Sequence, residues 1–138
     1  MNAQELRINN WVLFPPNMDA KVIIPTVKGK IAAINLFGEV IIDNCPYNHI
    51  HMFTVPIKHI APIPLTPEIL EMAGFKKHHA LKHGLRKAIN FDMDIIVYFL
   101  YNKVQFYING TELRHITHIH QLQNLIFALT GTELNIKL

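Results

Sequence analysis

The side chains best suited to chemistry are imidazoles and ammoniums: the 138-residue chain carries nine histidines and thirteen lysine and arginine residues. Five of those cations, Lys76, Lys77, Lys82, Arg86 and Lys87, fall in one stretch, interleaved with His78, His79 and His83, and no acid lies between Glu71 and Asp92. Such a segment folded as a hairpin suits phosphate oxygens, because ammonium, guanidinium and imidazole N–H groups all donate to them. A charge run is equally the mark of an ordinary solvated face. The net charge of +3 with histidine neutral is mild, so composition alone does not force binding to polyanions.

The histidine pairs are poorly placed for metal. His118 and His120 are two apart on an expected helix, where only spacings of three and four share a face. His49 and His51 would share a strand face, but no nearby carboxylates complete a set. The single cysteine, Cys45, excludes an internal disulfide and leaves zinc without its usual thiolates. Serine is absent, which excludes serine nucleophiles, and there is no glycine-rich phosphate loop. Asp92 and Asp94 sit where a hairpin entrance commonly carries acids. Catalysis, metal and cofactor are therefore not expected.

A second candidate surface is the polar flank of a helix near the C-terminus. Over Thr117–Gly131, Ile119, Leu122, Leu125, Ile126 and Leu129 recur at spacings of three and four and form one apolar stripe. Thr117 is suited to cap its start and Gly131 to take the left-handed turn that ends it. His118, Gln121 and Asn124, with Gln123, then lie off the stripe and are candidates for ligand contact. Trp11, Phe14, Tyr98 and Tyr107 are candidates for stacking on bases, although Trp11 and Phe14 also suit a core.

The elements that position these residues fall into two halves. From Trp11 to Ile60, short apolar runs (Trp11–Phe14, Lys21–Ile24, Lys30–Leu36, Glu39–Asp43, Met52–Ile60) are separated by Pro and Gly corners. This pattern predicts a small, strongly twisted β-barrel over 1–61. Ala61-Pro62-Ile63-Pro64-Leu65 reads as a stiff extended linker. Thr66-Pro67-Glu68 is a helix start with cap, proline and carboxylate in place, and Gly74 is its stop. The basic segment then predicts an edge hairpin turning at Gly84.

Ile95-Ile-Val-Tyr-Phe-Leu-Tyr101 lacks polar alternation and reads as a strand buried on both faces. Val104–Ile108, the Asn109-Gly110 turn and Leu113–Ile116 extend an antiparallel meander. The helical stripe is the natural cover for it, and Leu134–Leu138 suits a short edge strand. The expected fold is thus α+β: a barrel module over 1–61, and over 62–138 a helix, an antiparallel sheet and a C-terminal helix.

Three segments carry a resemblance: Glu5-Leu-Arg-Ile-Asn-Asn-Trp-Val12, Ile63-Pro-Leu-Thr-Pro-Glu-Ile-Leu70 with Gly74-Phe75, and His120-Gln-Leu-Gln-Asn-Leu125 with Phe127-Ala-Leu-Thr-Gly131. Together they resemble a family of small uncharacterised proteins from phages, prophages and mobile elements of the Bacteroidetes. Asn9 departs from a position where that family often has glycine, and Ile126 from one where it often has an aromatic residue. The resemblance implies a mobile-element origin and a place in the host cytosol, and it implies no catalytic residues. The chain shows neither a long apolar span nor a basic-then-apolar leader, which fits that setting.

The expected function is non-enzymatic recognition of a phosphate-bearing ligand, a nucleic acid strand or nucleotide signal, in a setting such as counter-defence. Lys76, Lys77, His79, Lys82, Arg86 and Lys87 form one candidate surface, and His118, Gln121 and Asn124 the other. The alternative is a protein-interaction module that binds a host factor or self-assembles as a homo-oligomer, since half the residues are hydrophobic.

Overall fold

Branched and aromatic residues between Gly and Pro corners condense, in a computed structural model, into two antiparallel sheets and two helices, a mixed α+β fold. The structure describes residues 3–16, 18, 22, 24–43, 52–80, 84–100, 103–136 and 138. The chain divides into two compact units, Met1–Ile63 and Pro64–Leu138. No helix among the described residues is long and apolar enough to cross a membrane.

The first unit is a four-stranded meander, β1 (Trp11–Phe14), β2 (Val27–Ile34), β3 (Glu39–Asp43) and β4 (Met52–Pro56), in that spatial order. Its inner face gathers Val12, Phe14, Ile31, Val40, Ile42 and Val55, with Leu6, Ile57 and Ile60 packed in. The strand approach depends on Asn9, which takes a left-handed φ of 73° and donates its N–H to the Ile31 carbonyl at 2.7 Å. Asn tolerates this region better than most residues. Asn10, wholly buried, accepts the Arg7 N–H on its side-chain oxygen at 2.7 Å.

The expected closed barrel is corrected. Among the described residues this is an open sheet with β1 and β4 at its edges. After Pro56 the chain leaves the sheet through a 3₁₀ turn, Ile57–His59, where a continuous strand to Ile60 was expected. It returns to β1 at one point only, where Leu13 and Ala61 exchange N–H···O bonds of 2.9 Å. Pro62 follows at once and has no N–H with which to extend a ladder. Of the expected strand over Lys21–Ile24, the described residues Val22 and Ile24 are exposed and in no strand, while Lys21 and Ile23 lie outside the described residues, as do Cys45, His49 and His51.

The second unit starts at a helix, α1 (Pro67–Met72), whose cap is as the sequence suggests: the Thr66 hydroxyl accepts the Ile69 N–H at 3.3 Å. Gly74 turns out of it at φ 84° and Phe75 is buried. A five-stranded sheet follows in chain order, β5 (Lys76–Lys77), β6 (Gly84–Asn90), β7 (Met93–Leu100), β8 (Lys103–Ile108) and β9 (Thr111–Leu113). Gly84 opens β6, opposite Tyr98, and is not the tip of the turn. Asn109 and Gly110, both at positive φ, make the β8–β9 turn. The strand expected over Leu113–Ile116 ends at Leu113, and the described residues of 134–138 form no strand.

Helix α2 (Ile119–Thr130) closes the unit, buries Ile119, Leu122 and Ile126, and ends at Gly131 with φ 69°. Its N-cap is His118, one residue later than the expected Thr117. Both helices meet the sheet at β6. The expected linker over Ala61–Leu65 is divided between the units: Ala61 pairs with β1 in the first, and within the second Pro64 bridges to His118 and Leu65 donates to the Thr117 carbonyl at 3.1 Å.

Candidate functional site

Cross-strand register decides which side chains share a face of the five-stranded sheet, because directly opposed residues point the same way and neighbours along a strand alternate. One row runs Lys77, Leu85, Val97, Phe106, Leu113, and Leu85, Val97 and Phe106 are buried in it. This is the helix face: from it Lys87, two residues beyond Leu85, extends to α1. The adjacent row runs Lys76, Arg86, Ile96, Tyr107, Glu112, all exposed or half-buried.

The reading of Ile95–Tyr101 as buried on both faces is therefore corrected. Ile95 and Val97 are fully buried, while Ile96 and Tyr98 are half-buried on the other side. Aromatic and branched residues on an open face carry the same pattern as buried ones, so polarity alone cannot separate them.

Pairing of β5 with β6 brings the basic stretch together. Lys76 and Lys77 belong to opposite rows and so bracket the sheet edge, with Arg86 opposite Lys76. An open concavity of about 460 Å³ lies here, lined by Lys76, Lys77, His78, His79 and Arg86 with Ala80 and Ala88, and no carboxylate is among these described lining residues. Lys76, Lys77 and His79 are exposed. His78 is engaged locally: its Nδ1 accepts the Ala80 N–H at 3.3 Å and its own N–H donates to the Gly84 carbonyl at 3.0 Å. Lys82 lies outside the described residues, as does His83.

Arg86 is partly committed, since its Nε donates to Asp94 Oδ2 at 2.9 Å and its Nη2 shares the same oxygen. The guanidinium keeps further N–H groups for a ligand. Asp94 and Asp92 hold the neighbouring hairpins together: Asn109 accepts the Asp94 N–H at 3.3 Å and donates to the Asp92 carbonyl at 3.1 Å. Both of these bonds use the backbone of Asp92 and Asp94, and the Asp94 carboxylate is engaged by Arg86.

Lys87 is separated from this cluster. Its Nζ donates to the Ala73 carbonyl at the end of α1 at 2.8 Å and lies 5.8 Å from the centre of the Phe75 ring. Partial burial holds its pKa below the usual lysine value. A cation at a helix C-terminus complements the dipole there, so Lys87 fastens α1 to the sheet.

The helix flank is also engaged in structure. The Gln121 side-chain oxygen accepts the N–H groups of Thr117 at 2.9 Å and His118 at 3.1 Å, closing the first turn of α2. The Thr117 hydroxyl meets His118 Nδ1 at 2.8 Å. The His118 and His120 rings stack with centroids 6.0 Å apart, a contact possible because His118 precedes the helix with extended geometry. Gln123, expected on the polar side, is 1% exposed. Asn124 is half-buried on α2, away in sequence and in element from the basic edge.

Of the aromatic candidates, Trp11 and Phe14 are buried in the first unit, Phe14 with Phe53 at 5.9 Å. Tyr98 and Tyr107 stand together on the open face of the second unit, 5.6 Å apart and edge to face. Among the described residues no group of three or more His, Cys, Asp and Glu side chains gathers as a metal site. Comparison with family models, with curated proteins and with solved structures finds no match to this chain.

Proposed function

We propose that the chain is a non-enzymatic binding protein of a phage or other mobile element, acting in the host cytosol and recognising a phosphate-bearing ligand through the β5–β6 edge. The observation that carries this reading is the concavity lined by Lys76, Lys77, His79 and Arg86 with no carboxylate among the described residues that line it. Exposed ammoniums on either side of the sheet edge and a guanidinium beside them, all lining one recess, favour an anion with several oxygens, which a phosphate supplies. A nucleic acid strand and a nucleotide signal both present that group. The origin and the setting rest on the three resembling segments alone, and counter-defence is one use such binding would serve.

Calorimetric titration with pyrophosphate and with a single-stranded oligonucleotide tests the reading. The wild type binds at least one of them, and the Lys76→Ala/Lys77→Ala variant, which alters exposed side chains, binds roughly tenfold or more weakly. Absence of affinity for either probe, or affinity indifferent to the substitutions, sinks it.

A second reading, interaction with a host protein or with further copies of the chain, is favoured by one feature of the first unit. At the β2–β3 turn Leu36 and Phe37 are 103% and 89% exposed. The turn is braced: the Asn35 side-chain oxygen accepts the N–H groups of Phe37 at 2.9 Å and Glu39 at 3.0 Å, and its amide donates to the Glu39 carboxylate at 2.8 Å. A stiff turn that projects two large apolar side chains suits insertion into a partner's pocket at small entropic cost.

A further inference from the structure

The geometry points to single-stranded nucleic acid as the ligand, with its bases stacked on the open sheet face at Tyr98 and Tyr107 and its phosphates at the β5–β6 edge. This rests on the phosphate reading and narrows it.

The row Lys76, Arg86, Ile96, Tyr107 places cations on the two strands at one edge and an aromatic ring further across the same face. Three inter-strand spacings, roughly 14 Å, separate Lys76 from Tyr107. A mononucleotide held at the edge would leave the tyrosines unused, whereas a chain of linked nucleotides reaches both.

The tyrosines are accessible within this unit. With Ile96, Leu100 and Gln105 they line an open concavity of about 360 Å³. Their edge-to-face contact fixes the rings against each other, which lowers the ordering cost of stacking a base there. Gln105, opposite Tyr98, offers an amide to base edges.

Charge fits the same occupant. The acids on this face are already matched, Asp94 by Arg86 and Glu112 by Arg114 at 3.1 Å, while Lys76 and Lys103 are exposed. An open sheet face that carries aromatic rings with cations at its rim is what base stacking plus backbone tracking requires. A duplex keeps its base faces inside the stack and cannot use it.

The test compares a labelled thymidine strand of about 12 nucleotides with an abasic strand of equal length and phosphate number, by fluorescence anisotropy. The wild type binds the base-bearing strand about tenfold or more tightly than the abasic one. Tyr107→Ala removes that preference and leaves affinity for the abasic strand in place, while Tyr107→Phe, which keeps a ring, retains the preference. Equal binding of the two strands by wild type overturns the platform and leaves the phosphate reading standing. Absence of binding to both strands and to pyrophosphate overturns both readings. A concentration-dependent dimer abolished by Tyr107→Ala assigns the face to a second copy and overturns the proposal.

Discussion

Gln121 separates two explanations of the helix flank, and its replacement by alanine has a calculable effect. In the folded chain its side-chain oxygen accepts from Thr117 N, from His118 N and, at 3.3 Å, from the Thr117 hydroxyl. Thr117 is exposed, so water replaces the acceptor there at little cost, whereas His118 is half-buried and its N–H loses more. Loss of a helix-capping interaction costs about 1 kcal/mol, and the second, half-buried donor brings the sum to roughly 1–2 kcal/mol. For a unit of roughly 60–100 residues that lowers Tm by about 4–8 °C for each kcal/mol. Gln121→Glu keeps the acceptor and puts a negative charge at the positive helix end, so it stays at or above wild-type stability. Urea and thermal titrations followed by far-UV circular dichroism read both variants. Ligand affinity is unchanged in both, because the binding edge lies on β5 and β6. Wild-type stability in Gln121→Ala combined with lost binding would refute the capping role and return the flank to the ligand site.

Two further outcomes concern the first unit. A Cβ at Gly29 would sit 2.8 Å from the Phe14 ring and press on Ile42, both buried, so Gly29→Ala costs roughly 1–3 kcal/mol of overpacking; the sole tryptophan, Trp11 on β1, reports it as an earlier urea midpoint, and an unchanged midpoint contradicts the packing. Leu36→Ser/Phe37→Ser leaves stability within about 0.5 kcal/mol because both side chains are exposed, and under the second reading it abolishes any self-association seen by sedimentation velocity. Self-association that persists in this variant removes the turn from that role.

What was legible in the chain follows from where local chemistry decides structure. Thr66-Pro67 capping, the Asn109-Gly110 turn and the Gly131 stop all depend on neighbours within a few residues, and each stands in the structure as read; the stripe stands in part, with Ile119, Leu122 and Ile126 buried, Leu125 and Leu129 half-buried, and His120 and Gln123 buried as well. The barrel failed because closure is a long-range matter: Pro56 and Pro62 limit the return to β1 to the single bridge at Ala61. The open face was hidden on β7 because Ile96 and Tyr98 look as apolar as the residues that alternate with them, whereas on β8 Gln105 and Tyr107 already alternate with Val104, Phe106 and Ile108. On β7 only register distinguishes the two rows.

The same limit governs the candidate site. Lys76, Lys77, His79 and Arg86 were adjacent enough in sequence to be seen as one cluster, and β5–β6 pairing brings them to one recess. Lys87 looks identical in sequence, yet alternation along β6 sends it to the helix face and to the Ala73 carbonyl. With Thr117 as the expected cap, His120 takes the N3 position and Gln121 reads as a contact residue; His118 at the cap instead puts Gln121 at N3, where its side chain closes the first turn.

The salt dependence of binding tests the central claim most directly. For a single strand, log K falls with log salt with a slope of about 0.7 for each phosphate contact. Measured across a salt series, Lys76→Ala/Lys77→Ala should therefore bind with a slope shallower than wild type by about 1.4, if each lysine holds one phosphate. An identical slope in variant and wild type, or wild-type binding that ignores salt, would place the ligand elsewhere than the β5–β6 edge.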